Sequence, residues 1–451
     1  MTPERTASLL ATDFYQLNMV ESYLATGMTD TAVFEMFVRD LAPERGYILA
    51  AGLEQVLAFL EDPRPTAEEL GWLRSTGQFT GRLVDFLAEF RFEGDVHAPP
   101  EGTVLFDDEP LVRVTAPLPQ AQLLETVILN VLHYQTLVAS KAARMRLAMP
   151  GVPLVDFGLR RAHGLEAGVL AARAAYIAGF EGTATVPAAQ LFGVPLYGTM
   201  AHSYVLAHES EEAAFLAYAR TRPSQTIFLI DTYDTPEGAR TLARIAPTLR
   251  DEGIGIRGVR LDSGDLDRLS RDVRTILDEA GLEDAMIMAS GGIDEFGLAR
   301  LREAGAPIEG YGLGTALVVS KDLPSLDTAY KLKAYAGVPR RKLSSGKAYW
   351  PGATQVHRRY GPEGRLLRDR LVAADEPVPE GAEAVLEPVI REGRRLRGAE
   401  GVEAARERAA RELAALPPAQ TALRDAPSFE PEVSERLQAL GEAADARFAD
   451  G

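Results

Sequence analysis

Between residues 153 and 314 the chain repeats one pattern seven times: a short apolar run, a polar or Gly-rich turn, then a stretch of helical period. The runs are 153–157, 180–185, 195–200, 226–231, 256–262, 285–290 and 308–314, with helices expected at 236–250 and 266–280 among others. In the second of these helices Leu266, Leu269, Val273, Ile276 and Leu277 make a single apolar stripe. Strand–helix alternation favours a parallel sheet, because a right-handed crossover helix returns the chain in the same direction. Seven units suit an α/β fold of the irregular (β/α) TIM-like barrel type, and a doubly wound open sheet satisfies the same pattern.

The flanks read differently. Residues 13–25 form a helix with Asp13 as N-cap, Leu17, Val20 and Leu24 as its apolar face, and Gly27 past its end. Short strands at 33–38, 104–106 and 111–114 and a helical stretch at 68–90 make the front section α+β. Residues 118–149 are helical. From about residue 330 the composition shifts: five of the six lysines (321, 331, 333, 342 and 347) lie near or inside a Gly- and Pro-punctuated segment, KLSSGKAYWPG. That segment is expected to leave the barrel and return to the first lobe. Residues 381–451, rich in Ala, Glu and Arg, read as packing helices. The expected organisation is therefore an N-terminal α+β lobe at 1–125, the barrel at 126–330 with its active face at the strand C-termini, and a segment at 331–451 packing back on the lobe and ending in helices.

Composition removes several functions. A net charge of −17 argues against a nucleic-acid binder, since phosphate neutralisation needs a basic face. No apolar run approaches the roughly 20 residues that span a bilayer, and the opening MTPERTASLLATDFYQ lacks a secretion signal, so no membrane association and a cytoplasmic location are expected. With no cysteine, thiolate nucleophiles and thiolate zinc sites are excluded, and the histidines at 97, 133, 163, 202, 208 and 357 show no zinc-ligand spacing. No metal site held by protein alone is expected. There is no GxxxxGK[ST] loop, and GYGLG at 310–314 lacks the spacing of a dinucleotide fingerprint.

In a barrel, chemistry sits just after each apolar run. Those positions here are polar: DFGLRR (156–161), GTAT (182–185), GTMAHS (198–203), DTYD (231–234), RLDSGD (260–265), SGG (290–292) and GLGT (312–315). The last two follow the sixth and seventh runs, where barrels hold phosphate with Gly-rich backbone N–H groups and a helix N-terminus, so Gly291, Gly292, Gly314 and Thr315 are phosphate candidates. RLDSGD surrounds a Ser-Gly turn with Arg260 and two carboxylates, suited to an anion, a sugar diol or water-bridged Mg²⁺; an ordinary Asp N-cap beside a surface Arg is the plain alternative. His202 is open between nucleophile, base and satisfied core histidine. The residues by themselves lead to a barrel enzyme acting on a phosphorylated sugar.

Taken in order, TDFYQ, DFGLRRAHG, GTMAHS, RLDSGDL, ASGGIDE and GYGLGT resemble the nicotinate phosphoribosyltransferase family across nearly the whole chain. The resemblance implies a type II phosphoribosyltransferase fold, commonly a homodimer, with an irregular barrel and an α/β lobe built from both chain ends. It implies transfer of phosphoribosyl from phosphoribosyl pyrophosphate to nicotinate, with Mg²⁺, and with ATP as co-substrate. It places Tyr15 and Phe157 as a clamp on the pyridine ring, Thr199 and Arg260 on nicotinate, Thr315 on the phosphoribosyl phosphate, and His202 as the histidine that ATP phosphorylates. Arg160, Asp262, Gly291, Gly292 and Gly314 are further site candidates. Nicotinate is favoured over nicotinamide because Ala184 stands where the related nicotinamide enzyme has an Asp after Gly-Thr, which would repel a carboxylate. Alternative readings are nicotinamide phosphoribosyltransferase, or a catalytically silent nucleotide-binding barrel that regulates a partner; quinolinate phosphoribosyltransferase calls for a denser basic cluster.

Overall fold

The computed structural model describes residues 8–41, 45–343 and 349–449, so part of the KLSSGKAYWPG segment, Lys347 included, lies outside the described residues. The chain divides into two compact units, Met1–Ser140 with Leu323–Gly451, and Lys141–Asp322.

The first unit is built on a sheet of seven strands. Thr31–Val38 pairs antiparallel on one side with Thr328–Tyr335 and on the other with Pro110–Pro117, which joins sequence from both ends of the chain in one ladder. Asp95–Ala98 and then Glu387–Arg391 continue the sheet. Thr31–Val38 is nearly all buried, so it lacks the alternation of a half-exposed strand and must satisfy Glu35 internally. Glu35 accepts from the Thr354 backbone N–H at 2.7 Å and pairs with Lys333 at 3.2 Å.

Several flanking elements differ from the sequence reading. The stretch 68–90 is two helices, Ala67–Ser75 and Gly81–Glu89, separated by Gly77 at φ 65°. Likewise 118–149 breaks after Leu118–Leu123 and resumes as Glu125–Ala148. The tail holds its helices at Val402–Ala415 and Glu435–Ala449, but strands Glu387–Arg391 and Arg394–Arg395 precede them. Such short strands with charged ends carry no apolar alternation for a sequence reading to detect.

The second unit is a parallel sheet whose neighbours run Gly182–Thr183, Leu154–Asp156, Gly310–Leu313, Met286–Ala289, Gly258–Leu261 and Ile227–Leu229. Every pairing is parallel, and the last strand in sequence lies beside the first. Six of the seven expected runs become strands. The seventh, 195–200, makes only an isolated parallel bridge, Leu196 to Thr183. Pro195 has no N–H for a ladder, and Gly198 carries no side chain to pack. Among the described residues no pairing joins this bridge to Ile227–Leu229, so ring closure is not observed. The result is a mixed α/β chain with a parallel sheet whose strand C-termini carry the polar turns.

Among the described residues no helix is long and apolar enough to cross a membrane.

Candidate active site

Arg260 organises the strand ends of the second unit. It sits on Gly258–Leu261 with 9% of its surface exposed. Its Nε donates to Thr199 Oγ1 at 3.0 Å, its Nη1 to Asp262 Oδ1 at 3.1 Å and Ser290 Oγ at 2.9 Å, and its Nη2 to the Met200 carbonyl at 2.7 Å. These contacts fix the plane of the guanidinium without exhausting its donors, so an Nη2 hydrogen remains for a ligand anion. Burial pulls the Arg260 pKa below its usual value, and Asp262 and Asp231 offset only part of that loss. The neighbouring Arg160 lowers it further.

Arg260, Thr199 and Met200 form one side of a cavity of about 480 Å³, closed by Phe157, Leu159, Arg160, Leu165, Ala184, Thr185, Gly198 and Ala201. Its walls are largely apolar and its cations are two arginines, the composition that suits a flat aromatic anion. Phe157 lies against Gly312: a Cβ there would meet the ring at 2.4 Å, so the glycine makes room for the aromatic wall. Asp156, fully buried, holds both sides of the cavity mouth. It accepts from Gly158 N at 2.8 Å, from Thr183 Oγ1 at 2.6 Å and from Thr185 Oγ1 at 3.3 Å. Burial raises its pKa, opposed by these donors. Thr183 and Thr185 flank Ala184, whose own N–H donates to the Asp156 carbonyl at 2.8 Å.

Next to Arg260 lies an acidic corner. Asp262 Oδ1 accepts from Ser290 Oγ at 2.5 Å, while the Asp262 N–H donates to Asp231 Oδ2 at 3.0 Å. His202 Nδ1 is 3.2 Å from Thr232 Oγ1, which sets the ring so that Nε2 faces Asp231 and Asp262, each at 3.9 Å. The Asp231 side chain is buried, and its Oδ1 has no hydrogen-bond partner among the described residues. A buried carboxylate oxygen left in that state calls for a cation. Among the described residues no group of three or more His, Asp or Glu could hold a metal alone. Two carboxylates are the donor set with which Mg²⁺ is shared between protein and substrate phosphates, so this corner fits that ion only together with a phosphorylated ligand.

Gly291 and Gly292 follow Met286–Ala289, with φ of 92° and 71°. Gly291 passes so close to the Asp262 carbonyl that a Cβ would come within 1.8 Å of it. The two glycines, with Gly264, Asp265, Asp294 and Arg300, line a second cavity of about 520 Å³. Gly314 and Thr315 open the short helix Thr315–Val318, beside the Phe157 backbone.

Thr199, His202, Arg260 and Asp262 are thus joined by direct contacts, and Phe157 and Arg160 share their cavity. Tyr15 belongs to the first unit, where it is 48% exposed and its hydroxyl accepts from Gln16 Nε2 at 2.9 Å. Asp156, Asp231, Thr232 and Ser290 stand in the polar strand ends but were not singled out there. Each reads in sequence as a turn residue or cap, and only the hydrogen bonds distinguish it.

Known proteins share this architecture. Residues 10–133 match the model of the nicotinate phosphoribosyltransferase N-terminal domain, and residues 152–335 that of the nicotinate phosphoribosyltransferase family. The chain is 47% identical to nicotinate phosphoribosyltransferase pncB2 of Mycobacterium tuberculosis, over 98% of this chain and 94% of that protein. It is 33% identical to the human nicotinate phosphoribosyltransferase, over 96% and 95%. The crystal structure of human nicotinic acid phosphoribosyltransferase superposes with a TM-score of 0.86 at 31% identity, covering 96% of this chain and 99% of that one.

Proposed function

Because the chain belongs to the nicotinate phosphoribosyltransferase family, we propose that its strand-end cavity joins nicotinate to the ribose of phosphoribosyl pyrophosphate, giving nicotinate mononucleotide for NAD synthesis. The observation that carries this reading is Arg260, fixed by Thr199, Asp262, Ser290 and Met200 at the side of an aromatic-walled, largely apolar cavity. The pyridine carboxylate pairs with Arg260 and Thr199, and Phe157 takes one face of the ring. The family resemblance gives the other face of the ring to Tyr15.

The pyridine nitrogen attacks C1 of the ribose with its own lone pair. The C1–oxygen bond to pyrophosphate breaks, and its electron pair leaves with pyrophosphate. No proton moves, so the site needs no general base. It must stabilise an oxocarbenium-like centre and a departing anion. Asp262 faces the developing positive charge, Arg160 the departing negative charge, Gly291, Gly292 and Gly314 offer backbone N–H groups to the ribose phosphate, and Thr315 offers it its hydroxyl as well as its N–H. Mg²⁺ bound with the substrate at Asp231 and Asp262 would neutralise pyrophosphate charge. His202 accepts the γ-phosphoryl group of ATP, a nitrogen–phosphorus bond forming as ADP leaves, and so couples ATP cleavage to synthesis.

The parallel sheet is an irregular barrel with one open seam, between 196 and 227. Exposed Leu165, Leu196, Tyr197 and Leu206 on the second unit, and Phe14 and Tyr15 on the first, support a homodimer. The setting is cytoplasmic.

Purified protein supplied with Mg²⁺, phosphoribosyl pyrophosphate and either nicotinate or nicotinamide, with and without ATP, tests the reading by product chromatography. Nicotinate mononucleotide formed in greater yield with ATP, a gain abolished in His202→Ala, is the expected result. Product from nicotinamide alone would move the chain to the nicotinamide enzyme, and no product from folded protein would favour the silent binding barrel.

A further inference from the structure

Lys141 is the only lysine before residue 321 in a chain that otherwise uses arginine, and only 1% of its side chain is exposed. Its Nζ lies 2.5 Å from Glu295 Oε2 and 2.5 Å from Asp322 Oδ1. Arg144, one turn further along the same helix, donates to Glu295 Oε1 at 3.3 Å. Two cations and two carboxylates thus meet in a largely buried group. A buried ion cluster adds little net stability over an apolar replacement, so its geometry is the better guide to its use.

Each carboxylate is rigidly tied to one of the two Gly-rich strand ends. Glu295 opens the helix Glu295–Glu303 directly after the Gly291–Asp294 turn. Asp294 caps that helix by accepting from Gly297 N at 2.8 Å, so turn and carboxylate move together. Asp322 ends the segment that begins at Gly314 and Thr315. The helix Thr315–Val318 closes through Ser320, a non-glycine residue at φ 40°, with Ser320 N on the Leu317 carbonyl at 3.0 Å and Lys321 N on the Ala316 carbonyl at 3.1 Å. A compact ammonium with freely rotating donors can bridge two carboxylates from separate loops, where a planar guanidinium imposes its own fork.

We propose that Lys141 is a positioning residue that sets the spacing between the Gly291–Gly292 turn and the Gly314–Thr315 helix, and so governs affinity for the phosphoribosyl substrate without touching it. The inference rests on the reading that those two segments hold its phosphate. Lys141 bonds none of Arg260, Thr199 and Phe157, so loss of the bridge reaches the nicotinate cavity only indirectly, through Ser290 beside Gly291 and the Phe157 backbone beside Gly314.

Steady-state kinetics with each substrate varied tests it, alongside circular dichroism melting. Lys141→Met is expected to raise KM for phosphoribosyl pyrophosphate roughly tenfold, in line with the cost of sub-ångström misplacement of binding groups, with KM for nicotinate changed by less than about twofold. Asp322→Asn, at the network's 13%-exposed edge, cuts one arm of the bridge and is expected to raise the same KM a few-fold in a folded protein; it decides the matter if Lys141→Met does not fold. Lys141→Arg restores charge but not bridge geometry, and full rescue by it would overturn the positioning role. Equal rises in both KM values, or no change in Asp322→Asn, would also overturn it. Thr315→Val separates the two levels of the argument. A raised phosphoribosyl pyrophosphate KM there, with none in Asp322→Asn, removes the bridge and keeps the phosphate site, whereas no rise in either removes both.

Discussion

Each unit of the molecule buries an arginine among carboxylates, and the two arginines are electrostatically opposite. In the first unit Arg358, 2% exposed, donates from Nε to Asp369 at 3.0 Å, from Nη2 to Asp369 at 2.7 Å, and from Nη1 to Glu412 at 2.7 Å, with Glu109 at 3.8 Å. Burial pulls its pKa down, but Asp369, Glu109 and Glu412 outweigh that and hold it well above the ordinary arginine value. Arg260 meets the same desolvation with fewer anions, and its pKa is lowered. Burial and ion pairing are therefore common to both, and neither marks a site. The difference is the balance of neighbours: Asp369, Glu109 and Glu412 surround Arg358, whereas Arg260 has Asp262 and Asp231 opposed by Arg160, the setting in which the proposed nicotinate carboxylate would add a further anion.

The largest effect is expected where the network is closed. Arg358→Ala strands Asp369 in the interior and should cost about 3–5 kcal/mol of stability, the usual result of removing one partner from a buried pair. Chemical denaturation reads it directly. A loss below about 1 kcal/mol would mean that water reaches this cluster, and the contrast with Arg260 would weaken.

Arg260→Ala should divide the other way. It removes a preorganised contact to substrate charge, and kcat/KM for nicotinate should fall roughly 10²–10³-fold, while the melting temperature changes far less than in Arg358→Ala. Near-normal turnover would take Arg260 out of the site.

How much of this could be read in the sequence follows from the same contrast. The parallel unit was legible because each strand is a short local apolar run followed by polar residues, and six runs form strands as expected. The run at 195–200 shares that composition, yet Pro195 and Gly198 limit it to a bridge at Leu196. In the first unit the pairing of Thr31–Val38 with Thr328–Tyr335 spans most of the chain, and no local pattern reports it. Its buried charges, Glu35 and Lys333, also disguise central strands as surface ones. Within the site, Arg260 and Asp262 stood out by motif, and His202, Thr199 and Phe157 through the family resemblance alone. Asp231 did not, because an Asp after a strand is as often a helix cap. What distinguishes it is an oxygen buried without a partner.

A smaller effect tests specificity. Ala184 is exposed on the cavity wall between the two threonines that Asp156 holds. Ala184→Asp would set a fixed carboxylate beside the nicotinate carboxylate, partly undoing the advantage Arg260 offers an anion. KM for nicotinate should rise by roughly tenfold, about 1.4 kcal/mol, and the ratio of nicotinamide to nicotinate use should increase. An unchanged ratio would show that Arg260 alone selects the carboxylate.

The smallest effect concerns pH. Glu211, at the start of the helix Glu211–Thr221, has its pKa raised from 4.5 to about 7, first by burial, then by Glu237, with Asp231 and Asp234 adding to it and Arg244 opposing. The folded chain therefore binds this proton more tightly than the unfolded chain. Its contribution to stability is complete below the ordinary carboxylate pKa and is lost as pH rises from there through about 7. Thermal melts across that window should decline with pH, and Glu211→Gln, which cannot ionise, should flatten the decline. An identical slope in the variant would assign the titration elsewhere, and Glu109, held well above its ordinary value by burial and by Asp369, is then the next acid to replace. That outcome would move the pH sensitivity from the acidic groups around Glu211 to the network around Arg358.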